Sequence, residues 1–345
     1  MLENRTVRTG RDCRIDFIRG IGIILVVFGH CIQWGSGTEY LESQNYFQET
    51  LFRLIYSFHM PLLAIISGFL FHNTLRHTDI IMRRIKSLLI PCFSWITIEM
   101  LLRGIFLVYS DQFNFVNFLE KYVDRFFHGF WFIWAIFWIS LIAVLIEKVF
   151  KGRDWLYILF FSMMIFEKKH ATYTYLYPYF VAGLLSNKYY MSKMTATKHK
   201  WPLCFILSFI VFSFMLLFYD NNSYIYTTGI SPLNGTGLFV QIGIDMYRYV
   251  IGFAGSAMVI SLCNIISLKN TRRNWYKAIA VLGQMSLGIY ILNCYFNVIL
   301  SKIASSATPN ICIWILEAGI SLCLYYYIIC IVKKLGLSKM LLGGR

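Results

Sequence analysis

The sequence contains a series of apolar runs of about 20 residues, the length that an α-helix needs to cross a hydrocarbon layer about 30 Å thick. Only 14% of the residues are charged, against about 25% in an ordinary soluble domain, and the mean hydropathy is +0.59. This composition excludes a disordered chain and argues against a soluble fold. The sequence therefore predicts an all-α, polytopic integral membrane protein.

Ten transmembrane helices are predicted, of which the fifth and the sixth are short. The approximate bounds are 15–34, 51–71, 86–108, 129–147, 155–166, 172–187, 201–219, 238–266, 278–300 and 311–332. With the N-terminus in the cytoplasm, 23 of the 32 Lys and Arg residues lie on the inner side and five on the outer side. The positive-inside rule then predicts that both termini are cytoplasmic. The same bias accounts for the formal charge of +15 without a nucleic-acid partner.

One membrane domain is predicted over residues 1–345, because no linker divides the chain and no extramembrane stretch is long enough to form a core. The nine cysteines form no C-x-x-C pair and mostly lie inside apolar runs. They are interpreted as packing residues, and no metal site is predicted.

Ionisable groups inside the first apolar run mark a candidate site, because they are costly in a membrane unless they are paired or hydrated. Arg19 and His30 are eleven steps apart, which is about 16 Å along a helix and about 20° around it. They therefore share one face, with Arg19 toward the cytoplasm and His30 in the outer half. The structural alternatives are a snorkelling anchor for Arg19 and a histidine bonded to a neighbouring helix for His30.

The second run places another histidine, His59, at nearly the same depth as His30. Pro61 follows closely, and a proline inside a helix removes a hydrogen bond and frees a carbonyl group. A local hydrated cavity would satisfy that carbonyl. Ser67 and Gly68 lie further along the run and predict close helix packing.

Further polar side chains occur in later runs. Glu99 and Arg103 have the i, i+4 spacing of an ion pair, and Asp245 and Arg248 have the i, i+3 spacing. Either these are separate structural ion pairs, or they contribute to one shared polar pocket in the outer half of the membrane. The other candidate pocket or acceptor residues are Asp16, Asn293 and Trp131; the aromatic residues around Trp131 are interpreted as an interfacial belt rather than as a stacking platform.

A basic cluster, Arg83, Arg84 and Lys86, lies at the cytoplasmic start of the third run. Such a cluster at a helix start can hold a phosphorylated ligand. As a bare charge run, it is also a common topology signal.

Several ordered motifs resemble the acyltransferase-3 family of integral membrane O-acyltransferases, which includes fucose O-acetylase-like and exopolysaccharide O-acetyltransferase-like proteins. They are RIDFIRG at 14–20 with VVFGH at 26–30, FHMPL at 58–62 with ISGFLF at 66–71, the basic cluster followed by LLIP, GFWFI at 129–133, YPYFVAG at 177–183 and LGQMSLGIYILN at 282–293. The resemblance covers residues 14 to about 295.

The resemblance implies a ten-helix membrane fold, acyl-CoA as the cytoplasmic co-substrate, and an acceptor hydroxyl reached from the far side. The family's motif of a basic residue, a ten-residue gap and a histidine falls on Arg19 and His30. Its Arg-x-Arg element falls on Arg84 and Lys86, and a lysine loses the bidentate grip on phosphate. Family members often carry a histidine where this chain has Asn293. Many relatives also carry an SGNH hydrolase-like domain, which is not expected here.

The residues and the resemblance together predict an acetyl-CoA-dependent O-acyltransferase of the bacterial plasma membrane. Its acceptor would be a hydroxyl of a cell-surface or lipid-linked glycan, and its other partners are membrane lipids, with homo-oligomerisation left open. His30 is the predicted base, His59 an orienting or hydroxyl-binding group, and Glu99 the carboxylate that orients an imidazole. Direct attack on the thioester and an acyl-histidine intermediate both remain open.

Two other classes of protein fit part of the pattern. A sugar or amino-acid transporter or flippase would also have a polar pocket near the middle of the membrane and a proline-broken helix. No inverted repeat is visible, which argues against it. A non-catalytic scaffold would leave the polar pocket unexplained.

Overall fold

The computed structural model describes residues 12–194, 200–232, 237–303 and 309–344, and every regular element in this part of the chain is helical. The all-α prediction is confirmed. The helices are α1 (Cys13–Trp34), α2 (Thr38–Glu42), α3 (Thr50–Tyr56), α4 (His59–Thr74), α5 (Ile80–Arg84), α6 (Ile90–Tyr109), α7 (Phe115–His128), α8 (Trp131–Val144), α9 (Trp155–Met164), α10 (Ala171–Met194), α11 (Trp201–Leu216), α12 (Ile225–Thr228), α13 (Leu238–Asn270), α14 (Asn274–Gln284), α15 (Ser286–Ile303), α16 (Ile311–Lys334) and α17 (Ser338–Leu341). Two π-helical turns, Ile85–Leu89 and Leu145–Val149, and two 3₁₀ turns, Asn45–Gln48 and Asn221–Ser223, complete them.

Seven helical segments of the described chain are long and apolar enough to cross a membrane. They are Cys13–Trp34, Thr50–Thr74, Ile80–Tyr109, Trp131–Val149, Leu238–Asn270, Ser286–Ile303 and Ile311–Lys334. The runs predicted at 155–166 and 201–219 form the shorter helices α9 and α11, of 10 and 16 residues. The count of ten spans and the cytoplasmic termini stay predictions, and the arginines before residue 12 lie outside the described residues.

Helix α1, which carries Arg19 and His30, lies in the middle of the bundle. It packs against α3, α4, α13, α14, α15 and α16. The first apolar run is therefore surrounded by protein over much of its surface. Its polar side chains face other helices more than lipid.

The second run is interrupted before His59 and not at Pro61. Helix α3 ends at Tyr56 and α4 begins at His59, so that Pro61 lies in the first helical turn, where its missing N–H is tolerated. The interruption begins at Ser57, whose carbonyl is the one to which Pro61 has no N–H to donate, so it lies where a proline break of the span is expected. The His59 Nδ1 atom lies 2.8 Å from the Ile55 carbonyl oxygen, which also accepts from the Phe58 N–H at 3.3 Å, so the ring donates to a carbonyl beside the break.

Close helix crossings depend on paired glycines. A Cβ atom on Gly68 in α4 would overlap the Phe180 carbonyl oxygen of α10, and one on Gly183 in α10 would overlap the Ile65 carbonyl oxygen of α4. The two helices therefore touch backbone to backbone. The predicted packing role of Gly68 is confirmed, and Gly20 and Gly283 form the equivalent crossing of α1 with α14.

Replacing Gly68 by alanine is expected to lower the free energy of unfolding by about 1–3 kcal/mol, the cost of overpacking a close-packed interior. The measurement is the midpoint of thermal unfolding in detergent. The control is Gly243→Ala in α13, because a Cβ there meets no described atom within 4 Å and alanine is the better helix former. Equal midpoints for the two variants would contradict the close crossing.

Candidate active site

A basic cleft opens where the C-terminal end of α4, the start of the third span and the C-terminal segment meet. Its volume is about 460 Å³, and the charged residues that line it in the described chain are all basic. The lining residues are Asn73, Thr74, His77, Arg83, Arg84, Lys86, Ser87, Gly343 and Gly344. The predicted basic cluster therefore faces one common cleft.

The three basic residues of the cluster have different surroundings. Arg83 Nε donates to Asp79 Oδ1 at 2.7 Å, and this hydrogen bond lowers the pKa of the Asp79 carboxyl. Lys86 is exposed. The guanidinium of Arg84 lies 4.2 Å from the centroid of the Phe71 ring, a cation–π contact that holds it at the wall of the cleft.

A π-helical turn presents Lys86 and Ser87 to this cleft. Between Ile85 and Leu89 the backbone widens, and the Ile90 N–H donates to the Ile85 carbonyl oxygen. Pro91 follows and has no N–H to donate to the Ser87 carbonyl, which explains why the ordinary α-helical pattern fails here. The LLIP motif carries this signal, but the sequence analysis did not derive the wider turn from it.

A second, deeper cavity, the central cavity, continues from the basic cleft into the bundle. It has a volume of about 140 Å³ and shares Thr74, Arg84 and Ser87 with the cleft. Its other lining residues are Arg19, Ile23, Leu63, Ile66, Ser67, Leu70, Phe71, Leu88, Phe132, Ile133, Ile136, Ser286, Leu287 and Tyr290. The cavity thus has a basic mouth and a largely apolar interior, and from Thr74 to Leu63 it follows α4 for about 16 Å.

Arg19 faces the central cavity, where its Nη2 atom donates to Ser286 Oγ at 2.6 Å. This geometry favours a ligand-facing role over the snorkelling interpretation. Ser286 begins α15 because the predicted ninth run divides at Met285 into α14 and α15. The sequence analysis missed both the break and this serine.

His30 and His59 both contact the Tyr56 ring. The ring centroids of His30 and Tyr56 are 6.5 Å apart, and those of Tyr56 and His59 are 4.7 Å apart. The structure therefore brings the two predicted histidines into one cluster. Tyr56 donates its hydroxyl to Gln33 Oε1 at 3.2 Å, and the sequence analysis named neither residue. Their spacing could have indicated them. Gln33 lies three positions after His30 and Tyr56 three positions before His59, a spacing that places two side chains on the same side of a helix.

Each histidine of this cluster has a defined environment. His59 Nδ1 donates to the Ile55 carbonyl, so in the neutral ring Nε2 carries the lone pair. The Nδ1 atom of His30 is buried, and no described group is its hydrogen-bond partner. In the tautomer that carries its proton on Nε2, this nitrogen has a lone pair that can accept a proton.

The central cavity ends below the histidine cluster. Its deepest lining residues are Ile23, two turns before His30 on α1, and Leu63, one turn after His59 on α4. Val26 and Val27 are fully buried between Ile23 and His30. His30 is not a lining residue. The passage from the basic cleft is therefore open as far as Ile23 and Leu63 and is closed between these residues and His30.

Glu99 is held by a helix that the sequence analysis did not predict. Its Oε2 atom forms a salt bridge with Arg125 Nε of α7 at 3.1 Å. Arg103 is exposed, so the predicted pair of Glu99 with Arg103 is wrong. Glu99 lines neither the basic cleft nor the central cavity, and the salt bridge favours a structural role for it.

The predicted pair of Asp245 and Arg248 is present, and it is structural. Arg248 Nη1 lies 2.9 Å from Asp245 Oδ1, and both side chains are buried. The guanidinium also donates to carbonyl oxygens of Asn222, Ser223, Tyr224 and Gly229, and to the hydroxyl of Thr228. Arg248 therefore fixes the segment 222–229, which we call the outer loop.

The remaining pocket candidates are dispersed. Asp16 is buried and accepts from Gln284 Nε2 at 3.2 Å, at the crossing of α1 with α14. Asn293 accepts from the Tyr325 hydroxyl at 3.2 Å. The Trp131 ring lies 6.4 Å from that of Tyr226 in the outer loop. None of the three predicted residues lines the central cavity, so one pocket shared by all predicted polar residues is not what the structure shows.

Comparison with known proteins identifies relatives of this chain. The family model described as "Acyltransferase domain", of the acyltransferase-3 family, matches residues 14–330. The nodulation protein NolL of Sinorhizobium fredii (strain NBRC 101917 / NGR234) is 32% identical over 188 residues, 51% of this chain and 48% of that protein. The nodulation protein NolL of Mesorhizobium japonicum (strain LMG 29417 / CECT 9101 / MAFF 303099) is 28% identical over 213 residues, 59% of this chain and 55% of that protein.

The chain spans about half the length of these two curated relatives. No solved structure matches it. The family match, in contrast, covers nearly the whole chain, including the basic residues of the cleft, Arg19 and the two histidines. The protein therefore belongs to the acyltransferase-3 family.

Proposed function

We propose that this protein is a membrane O-acyltransferase that moves an acyl group from cytoplasmic acyl-CoA to a hydroxyl of a cell-surface or lipid-linked glycan. Acetyl is the proposed acyl group. The bacterial plasma membrane is the proposed location. One observation carries the proposal: the central cavity opens from a basic cleft and runs about 16 Å along α4 toward the two histidines.

The two cavities suit the two ends of acyl-CoA. The phosphates need cations and donors, which Arg83, Arg84 and Lys86 supply in the cleft. The pantetheine arm is long, thin and mostly uncharged, and the apolar central cavity fits that chemistry. Arg19 and Ser286 add polar groups along the arm.

The reaction itself needs one base. His30 takes the proton of the acceptor hydroxyl while the hydroxyl oxygen bonds to the acyl carbon. The carbon–sulfur bond then breaks, and the departing CoA thiolate takes up the proton, so the ester and free CoA are the only products. His59 and Tyr56 lie next to His30 and would hold the acceptor hydroxyl or the imidazole in position.

The closed end of the central cavity adds a requirement. The thioester reaches His30 only when side chains near Val26 and Val27 give way, because both are fully buried. In this proposal the donor drives that opening, and the base is otherwise kept from the donor side. Unproductive hydrolysis of acyl-CoA is reduced in this way.

Purified protein in lipid vesicles, given radiolabelled acetyl-CoA and bacterial glycans, tests the function. The expected result is release of free CoA together with label in the glycan. If CoA is never consumed while a sugar or an amino acid crosses the membrane, the transporter alternative is correct. Mass analysis of surface glycans from cells with and without the protein then identifies the acyl group and the acceptor.

Replacing Arg84 by alanine is expected to raise the KM for acetyl-CoA about ten- to hundredfold, which is the value of one or two hydrogen bonds to a charged group. The expected kcat at saturating donor is little changed, because Arg84 lies at the mouth and not at the histidines. Steady-state kinetics measures both constants. The control is Arg103→Ala, an exposed arginine outside the cleft, and equal KM values for the two variants would exclude Arg84 from donor binding.

A further inference from the structure

Residues 338–344, which we call the C-terminal wall, form one side of the basic cleft. Gly343 and Gly344 line it together with Arg83, Arg84 and Lys86. The sequence analysis assigned no role to this segment beyond its positive charge. In the fold it follows α16 and returns across the start of α6.

The wall is anchored from two directions. The indole Nε1 of Trp95 in α6 donates to the Leu341 carbonyl oxygen at 3.0 Å. Leu341 and Leu342 are buried, and Leu342 packs against Gly288 of α15, where an added Cβ would lie 2.8 Å from its Cδ2 atom. The wall is therefore part of the helical bundle.

Gly343 is pressed against the π-helical turn that carries Lys86 and Ser87. Its φ angle is +68°, a left-handed conformation that favours glycine, and an added Cβ would lie 2.5 Å from the Ser87 carbonyl oxygen. That carbonyl is the one to which Pro91 cannot donate. A side chain at Gly343 would have to move either the wall or the π-helical turn, and both line the cleft.

We propose that the C-terminal wall sets the position of the phosphate-bearing end of the donor, with Gly343 as the positioning residue. This inference rests on the proposed function. Two glycines without side chains let a diphosphate and its nucleotide approach the backbone closely, and the basic residues of the same cleft supply the positive charge. The wall thereby selects donors that carry phosphate over donors that carry only the pantetheine arm.

The test compares Gly343→Ala with Gly336→Ala. Gly336 also has a left-handed conformation, φ +74°, but an added Cβ there meets no described atom within 4 Å. Both variants carry the same backbone strain, and only Gly343→Ala adds the collision with Ser87. Acetyl-CoA and acetyl-pantetheine, which lacks the nucleotide and its diphosphate, serve as the two donors, and direct binding of CoA is measured as well.

The Gly343→Ala variant is expected to raise the KM for acetyl-CoA about tenfold, since a displacement of about 1 Å costs up to about a hundredfold. Its kcat and its KM for acetyl-pantetheine should match those of Gly336→Ala. If Gly343→Ala unfolds, Trp95→Phe replaces it, because that change removes the hydrogen bond to Leu341, keeps an aromatic ring beside Tyr295 and should give the same donor-selective shift.

The outcomes separate the two proposals. Equal constants for Gly343→Ala and Gly336→Ala, or equal losses with both donors, overturn the role of the wall while the acyltransferase function stands. Failure of the unmodified protein to bind CoA overturns the wall and the donor together. A shift confined to the phosphate-bearing donor supports both.

Discussion

Replacing His30 by alanine is expected to lower the kcat of acyl transfer by about 10²- to 10⁴-fold, the usual contribution of a positioned general base. The KM for acetyl-CoA should stay nearly constant, because His30 does not line the cleft or the central cavity that hold the donor. Release of CoA and labelling of the glycan, measured at saturating donor, check this expectation. Binding of CoA to the variant shows that the protein remains folded.

The matched control for this change is His170→Ala. His170 is exposed and forms its hydrogen bonds with Glu167 near the start of α10, away from the cluster around Tyr56. Its replacement should leave kcat unchanged. A His30→Ala variant that transfers acyl groups at the normal rate would remove His30 from the mechanism, and His59 would then be the next candidate base.

Replacing Arg248 by methionine is expected to destabilise the protein by about 3–5 kcal/mol, as when one partner of a buried ion pair is removed. The change leaves Asp245 buried without its cation and frees the carbonyl groups of the outer loop. Thermal unfolding in detergent measures the loss.

Two controls accompany the Arg248 change. Arg103→Met removes an exposed arginine and should have little effect. Adding Asp245→Asn to Arg248→Met should recover part of the lost stability, because the unpaired charge disappears. If Arg248→Met unfolds at the same temperature as Arg103→Met, the network around the outer loop does not stabilise the fold.

The structure also explains why the second histidine lies where it does. His59 begins α4, and its ring donates to the Ile55 carbonyl beside the break in the span. The same carbonyl accepts from the Phe58 N–H, so the ring adds a second hydrogen bond to it. The break therefore fixes the His59 tautomer and orients its ring toward Tyr56.

Local spacing predicted part of the candidate site. The eleven steps between Arg19 and His30 place both residues on one face of a helix. The number of residues from the outer end of each run placed His59 at nearly the depth of His30, and both histidines do contact Tyr56. The basic residues at 83–86 share a cleft, as their spacing suggested. These results follow from helix geometry and span direction, which depend on the order of residues alone.

Other features of the site depend on contacts between distant parts of the chain. Glu99 has two arginines within reach, and only the position of α7 brings Arg125 to it instead of Arg103. Ser286 meets Arg19 across 267 positions of sequence, and Gly343 and Ser87 are also far apart in the sequence. No periodicity within one segment encodes such pairs.

The order of apolar runs and motifs by itself determined that this protein is an all-helical membrane protein of the acyltransferase-3 family, with two histidines and a basic cluster as its candidate site. The tertiary structure decided which polar residues act together, because the choice of partner depends on how helices cross. In the folded chain the basic cleft adjoins the central cavity, Arg248 binds the outer loop, and the central cavity ends before His30. Glycine crossings, such as Gly68 with Gly183 and Gly20 with Gly283, bring together backbones that lie far apart in the sequence.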